Sequence, residues 1–150
     1  MRAALVSSFS SSPSVPVALL PLAVERTYPT ELAAAVARGA VIVDVRTTAQ
    51  REAQGTLPGA LAISEELVTA RLDPANPGRL AVAVDLDVEW ILVSAEGADS
   101  HRLVAGLQER GLRRVSHMAG GYHAILEARM VQAVTQAHHI LADVERVTAH

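Results

Sequence analysis

Residues Val88–Gly111 read VEWILVSAEGADSHRLVAGLQERG, and their reading decides the fold. The apolar run Trp90–Val93 stops at a loop of small residues, Ser94–Ser100. An amphipathic segment, His101–Arg110, follows, with Gly111 as its stop. A strand feeding a tight loop that feeds a helix is a common way to build an anion pocket, because free N–H groups at the helix start converge on the loop. No residue of this loop is of a strongly nucleophilic type.

The same alternation continues on both sides. YPTELAAAVARG has Pro29 near its start and Gly39 just past its end, the usual asymmetry of a short helix. Ala40–Val45 is a continuous apolar run around Asp44, as a buried parallel strand requires. TAQREAQG predicts one or two helical turns stopped by Gly55. A Pro58–Gly59 turn then precedes a short strand, Ala60–Ile63, and Glu65–Leu72 predicts another helix. The connection Asp73–Glu89 holds two prolines and admits a short strand or helix at Leu80–Val84. After the central stretch come a strand in Arg113–Met118 and a Gly-Gly turn into a helix in Ala119–Met130. Met130, Val134, Ala137, Leu141 and Val144 step four and three residues apart, an amphipathic helix that packs on its own domain or makes a homodimer contact. Strands alternating with helices predict an α/β fold with a central, mainly parallel sheet flanked by helices.

Composition narrows the function. A chain of 150 residues is enough for one domain with its own core. Half the residues are hydrophobic and only 3% aromatic, so the core is built of small aliphatic groups. A net charge of −3 with no basic run argues against nucleic acid as a partner. The chain has no cysteine, which excludes disulfides, zinc thiolate sites and thiol catalysis. Residues 1–25 are expected to be a flexible Ser/Pro-rich tail. Their apolar stretch Val15–Val24 is broken by Pro16 and Pro21, and is far short of the roughly 20 residues needed to span a bilayer. It also lacks the pattern of a secretory signal. The expected organisation is therefore a tail at 1–25, a domain at 26–128 and a C-terminal helix at 129–150, in a cytoplasmic protein without membrane contact.

Three motifs in order point to a family. VIVDVRTTAQREAQGTLPGALAIS, Val41–Ser64, resembles the first signature of rhodanese-like domains, with Asp44, Val45, Arg46, Gly55, Pro58, Gly59 and Ala60 at matching positions. Gly120–Ile125, GGYHAI, resembles the closing Gly-Gly motif. RLDPANPGRL and SAEGADS are similar to an actinobacterial-type subgroup, and the resemblance covers about residues 28–128. It implies a three-layer α/β fold around a parallel sheet. It also implies, in active members, a loop cysteine that takes sulfane sulfur from a donor such as thiosulfate and passes it to a thiophilic acceptor. That cysteine opens the loop, and a glycine follows three residues later. Gly97 matches the glycine, so Ser94 stands at the cysteine position.

The difference is chemical. A persulfide needs a nucleophilic sulfur, and a thiol with pKa near 8.5 is partly thiolate at neutral pH, more so at a helix N-terminus. A serine hydroxyl is far less acidic and far less thiophilic. The expected function is accordingly a non-catalytic binding or regulatory module, needing no cofactor, with Ser94, Ala95, Glu96, Gly97, Ala98, Asp99 and Ser100 as the contact loop for a protein partner or small anion. A second reading is a sulfurtransferase whose cysteine has been replaced by Ser94. A third is a serine hydrolase with Ser94 as nucleophile, His101 as base and Asp44 or Asp99 orienting it, although a Gly-x-Ser-x-Gly elbow is lacking.

Other candidates have structural readings. Asp99 stands where many active loops carry arginine, and it is expected to cap the helix. Asp44 and Arg46 are expected to tie a strand end to nearby loops rather than to act as a catalytic pair. Pro58 and Gly59 are turn residues, and Gly55, Gly120 and Gly121 complete the structural motif. His117 and His123 flank the Gly-Gly turn, while adjacent His138 and His139 diverge on a helix, so no metal site is expected.

Overall fold

The computed structural model of the chain describes residues 25–135. Five strands form one sheet: β1 (Arg26–Thr27), β2 (Val41–Asp44), β3 (Leu61–Ala62), β4 (Trp90–Val93) and β5 (Val115–Met118). They lie in the order β1–β5–β4–β2–β3, and every pairing is parallel. A 3₁₀ turn, Pro29–Glu31, leads into α1 (Leu32–Ala37). The other helices are α2 (Thr48–Gln54), α3 (Glu65–Leu72), α4 (Ala98–Glu109) and α5 (Gly121–Glu127), and residues 131–135 are also helical.

Parallel strands need crossovers, and the crossovers cover both faces of the sheet. This explains why β2 and β4 are apolar at nearly every position rather than alternately. Side chains still alternate in direction. Val41, Val43, Val45, Trp90, Leu92 and Val115 enter one core layer, with Val68, Leu72, Val104 and Leu107 from α3 and α4. Ile42, Ile91, Val93 and Met118 enter the other, with Leu32 and Val36 from α1 and Tyr122 and Ile125 from α5. The register Val41↔Trp90 to Asp44↔Val93 brings the ends of β2 and β4 level, so the segments that follow them emerge side by side.

Several boundaries differ from the sequence reading. The loop after β4 is shorter, because α4 begins at Ala98 and takes in Asp99 and Ser100. Its N-cap is Gly97 at φ 104°, a backbone that non-glycine residues rarely adopt. Leu80–Val84 is neither strand nor helix. Arg79 hydrogen-bonds the carbonyls of Leu80, Ala81 and Ala83, taking acceptors that a sheet partner would need. Val82 and Ala83 are buried all the same. β1, only two residues long, has no pattern in the sequence to reveal it.

Of the expected C-terminal helix, Val134 is fully buried in the second layer, where Met130, Val131 and Ala133 also pack. Ala137, His138, His139, Leu141 and Val144, and the expected tail up to residue 24, lie outside the described residues. Among those described, no helix is long and apolar enough to cross a membrane.

Candidate functional site at the loop after β4

The apolar run of β4 ends at Ser94, which is buried at 3% exposure. Its hydroxyl oxygen accepts the Gly97 N–H at 2.8 Å and lies 3.1 Å from the Ser100 hydroxyl. Ser100 donates to the Gly97 carbonyl at 3.1 Å, so the proton between the two serines comes from Ser94. Gly97 N–H, Ser94, Ser100 and Gly97 C=O thus form a closed circuit. The polar groups of this tight turn are satisfied within the loop itself.

A second set of bonds fixes the loop from α5. The Tyr122 N–H donates to the Ser94 carbonyl at 2.8 Å, and the His123 N–H donates to the Ala95 carbonyl at 3.2 Å. These are otherwise unpaired N–H groups of the first turn of α5. In a trans peptide, C=O and N–H point oppositely, so the Ala95 and Glu96 N–H groups face away from α5. The close approach requires Gly121, where a Cβ would overlap the Ser94 carbonyl oxygen and stand 2.7 Å from the Ala95 carbonyl.

The first motif is anchored beside this loop. Asp44, at the end of β2, and Arg46, two residues on, are buried at 2% and 1% exposure. Arg46 Nε bonds Asp44 Oδ1 at 3.0 Å and Nη2 bonds Oδ2 at 2.8 Å, a two-pronged pair. Gln54 of α2 accepts from Nη1 at 3.3 Å, and the Tyr122 ring covers the guanidinium at 3.7 Å. Gly55 ends α2, and the Pro58–Gly59 turn leads towards β3, with Gly59 against the backbone of Val134. With Asp44 filling one edge and Tyr122 one face, Arg46 is committed to holding structure.

Other expected contacts are not made. Asp99 does not cap α4; it lies inside the first turn, after the N-cap Gly97, and pairs with Arg102 at 2.6 Å on the exposed side. The serine hydrolase constellation is absent: no hydrogen bond joins Ser94 to His101 among the described residues. His101 is exposed, and its ring meets His117 at 5.2 Å between centroids. A hydroxyl that donates to another serine has no base to activate it. His123 pairs with Glu127 along α5 at 3.3 Å, away from His117. No group of three or more metal-ligating side chains occurs among the described residues.

Glu96 is exposed at the loop rim, and Asp99, half-exposed, is paired with Arg102. Sequence reading missed Tyr122, which touches both Arg46 and the loop; its place directly after Gly120–Gly121 was the available signal. It also missed the burial of His117, which no local pattern announces.

A single parallel sheet between two helical layers, with a self-bonded strand-to-helix turn at the C-terminal end of its central strand, defines a three-layer α/β domain. The rhodanese-like domain profile matches residues 28–128, more than half the chain, and the protein belongs to that family. A Rhodopseudomonas palustris protein of unknown function, described as a possible tyrosine phosphatase, is 26% identical over 71% of this chain and 82% of its own, with a TM-score of 0.62. The human single-domain sulfurtransferase is 26% identical over 70% of this chain and 97% of its own, with a TM-score of 0.58. A Staphylococcus aureus rhodanese-like domain protein shares the fold at 23% identity and TM-score 0.52, covering 67% of this chain and 90% of that one. No curated protein sequence matches significantly.

Proposed function

We propose that this chain is a rhodanese-like domain without sulfurtransferase activity, and that it works as a binding or regulatory module whose contact surface is the Ser94–Ser100 loop. One observation carries the reading: the hydroxyl of Ser94, which the motif resemblance sets at the family's loop-cysteine position, is closed into the Gly97–Ser100 circuit. With no cysteine anywhere in the chain, no sulfur is present to hold a persulfide.

A protein partner fits the loop better than a small anion. The Gly97 N–H is taken by Ser94, and Glu96 brings a carboxylate to the rim, while Asp99 is paired with Arg102. Like charges a few ångströms apart repel by roughly 1–4 kcal/mol near a surface, comparable to a hydrogen bond that an anion would gain.

A thiosulfate:cyanide assay on the full chain is expected to show no turnover above buffer; appreciable turnover overturns the proposal. Amide shifts of residues 94–100 are expected to stay unchanged on adding thiosulfate, sulfate or phosphate, and saturable shifts would assign a small-anion site instead. The likeness to the human single-domain sulfurtransferase favours the second reading, a cysteine replaced in an otherwise competent pocket. Ser94→Cys separates the two. It is expected to stay inactive because of the Glu96 carboxylate at the rim, and turnover in that variant would establish the second reading.

A further inference from the structure

β5 carries an imidazole into the packed interior. His117 is 6% exposed, and neither ring nitrogen has a hydrogen-bond partner among the described residues. The other buried polar side chains of this end of the sheet, Asp44, Arg46, Ser94 and Ser100, are all bonded. A buried polar group without a partner costs roughly 1–3 kcal/mol, which an aliphatic residue in the same place would avoid. No carboxylate among the described residues acts on His117, although Glu25 lends its backbone carbonyl to the His117 backbone N–H. α4 brings His101, its ring 5.2 Å away and steeply inclined at 77°. β1 brings Arg26, the register partner of His117. β4 brings apolar Leu92. Through space, His101 and Arg26 each disfavour a charge on His117.

We propose that His117 and His101 form an acid-operated switch: proton uptake by His117 drives His101 outwards, and the first turn of α4 then releases Ser100 from the Ser94–Gly97 circuit. Burial first, then the charges of His101 and Arg26, hold the His117 imidazole below the usual histidine range. The Met118 backbone opposes this weakly, with a geometry short of a hydrogen bond. With His117 neutral, the two rings pack edge to face. A proton on His117 sets a charge against the His101 ring, which disfavours it, where neither ring nitrogen has a hydrogen-bond partner among the described residues. His117 is held by the sheet, its N–H bonded to the Glu25 carbonyl at 3.1 Å. His101 is held only by the helix, through an N–H bond of 3.2 Å to the Gly97 carbonyl, next to Ser100 and beyond an N-cap that has no side-chain bond. The first turn of α4 is therefore the element that yields. This switch stands whether or not the loop is a contact surface.

Amide hydrogen exchange and imidazole NMR on the full chain, from pH 7.5 to 5, test it. The His101 amide is expected to lose about tenfold or more in protection factor as the His117 ring titrates, ahead of the His117 and Ala119 amides that join β5 to the edge. In His101→Ala, a surface change that leaves the core intact, the loss should move to lower pH and shrink. In His117→Phe it should vanish. Equal pH dependence in the native chain and His101→Ala would overturn the switch. So would first loosening at the β1–β5 amides, or a His117 ring that titrates in the usual range without effect on α4.

Discussion

The guanidinium of Arg46 lies 3.7 Å above the centre of the Tyr122 ring, and the backbone N–H of the same tyrosine holds the Ser94 carbonyl at 2.8 Å. One residue of α5 thus joins the first motif to the loop after β4. The two are distant in sequence and share no local structure.

The buried pair that this ring covers sets the first prediction. Arg46→Met keeps an apolar stem under Tyr122 but leaves the Asp44 carboxylate without its partner. Removing one member of a buried ion pair costs about 3–5 kcal/mol, so urea denaturation should show a loss of that size. Adding Asp44→Asn should return part of it. Two losses that simply add would show that the groups are not coupled.

The hydroxyl circuit sets the second. Ser94→Ala strands the buried Gly97 N–H and removes the acceptor of no other strong bond, so it should cost about 1–3 kcal/mol. Ser100→Ala should cost a similar amount, and the double variant less than the sum. Ser94 should also resist a fluorophosphonate probe, since no base contacts it; labelling would restore the hydrolase reading.

Gly121 has φ 65° and touches the loop backbone. Gly121→Ala should lose about 1–3 kcal/mol from backbone conformation alone, and more from overlap with Ser94 and Ala95. Loop amides 94–97 should shift in its spectrum while those of β2 stay in place. An unshifted loop would mean that α5 does not hold it.

Stability should also follow the protonation of His117. The imidazole is held below its usual value in the fold, first by burial. The unfolded chain therefore binds the extra proton first as pH drops. The stabilisation is complete above the unfolded value of about 6.5 and is lost as pH falls through the depressed folded value. The difference in unfolding free energy between the native chain and His117→Phe should widen with acidification in favour of the variant. A constant difference from pH 7.5 to 5 would contradict this.

The sequence by itself determined the α/β class, the positions of β2, α2, α3 and β4, and the absence of thiol chemistry. Those features are local or compositional: an apolar run buried on both faces, a helix bounded by Pro and Gly, a residue type that is missing. It did not determine where α4 begins, because Asp99 was an equally good cap by residue type, and only the folded turn sets Gly97 as the N-cap with its N–H 2.8 Å from the Ser94 hydroxyl. Nor did it reveal β1, the service of Tyr122 to two motifs, or the burial of His117 against His101. Each of these depends on parallel strands bringing together segments far apart in the chain. No periodicity within a segment records which residues will meet across that distance.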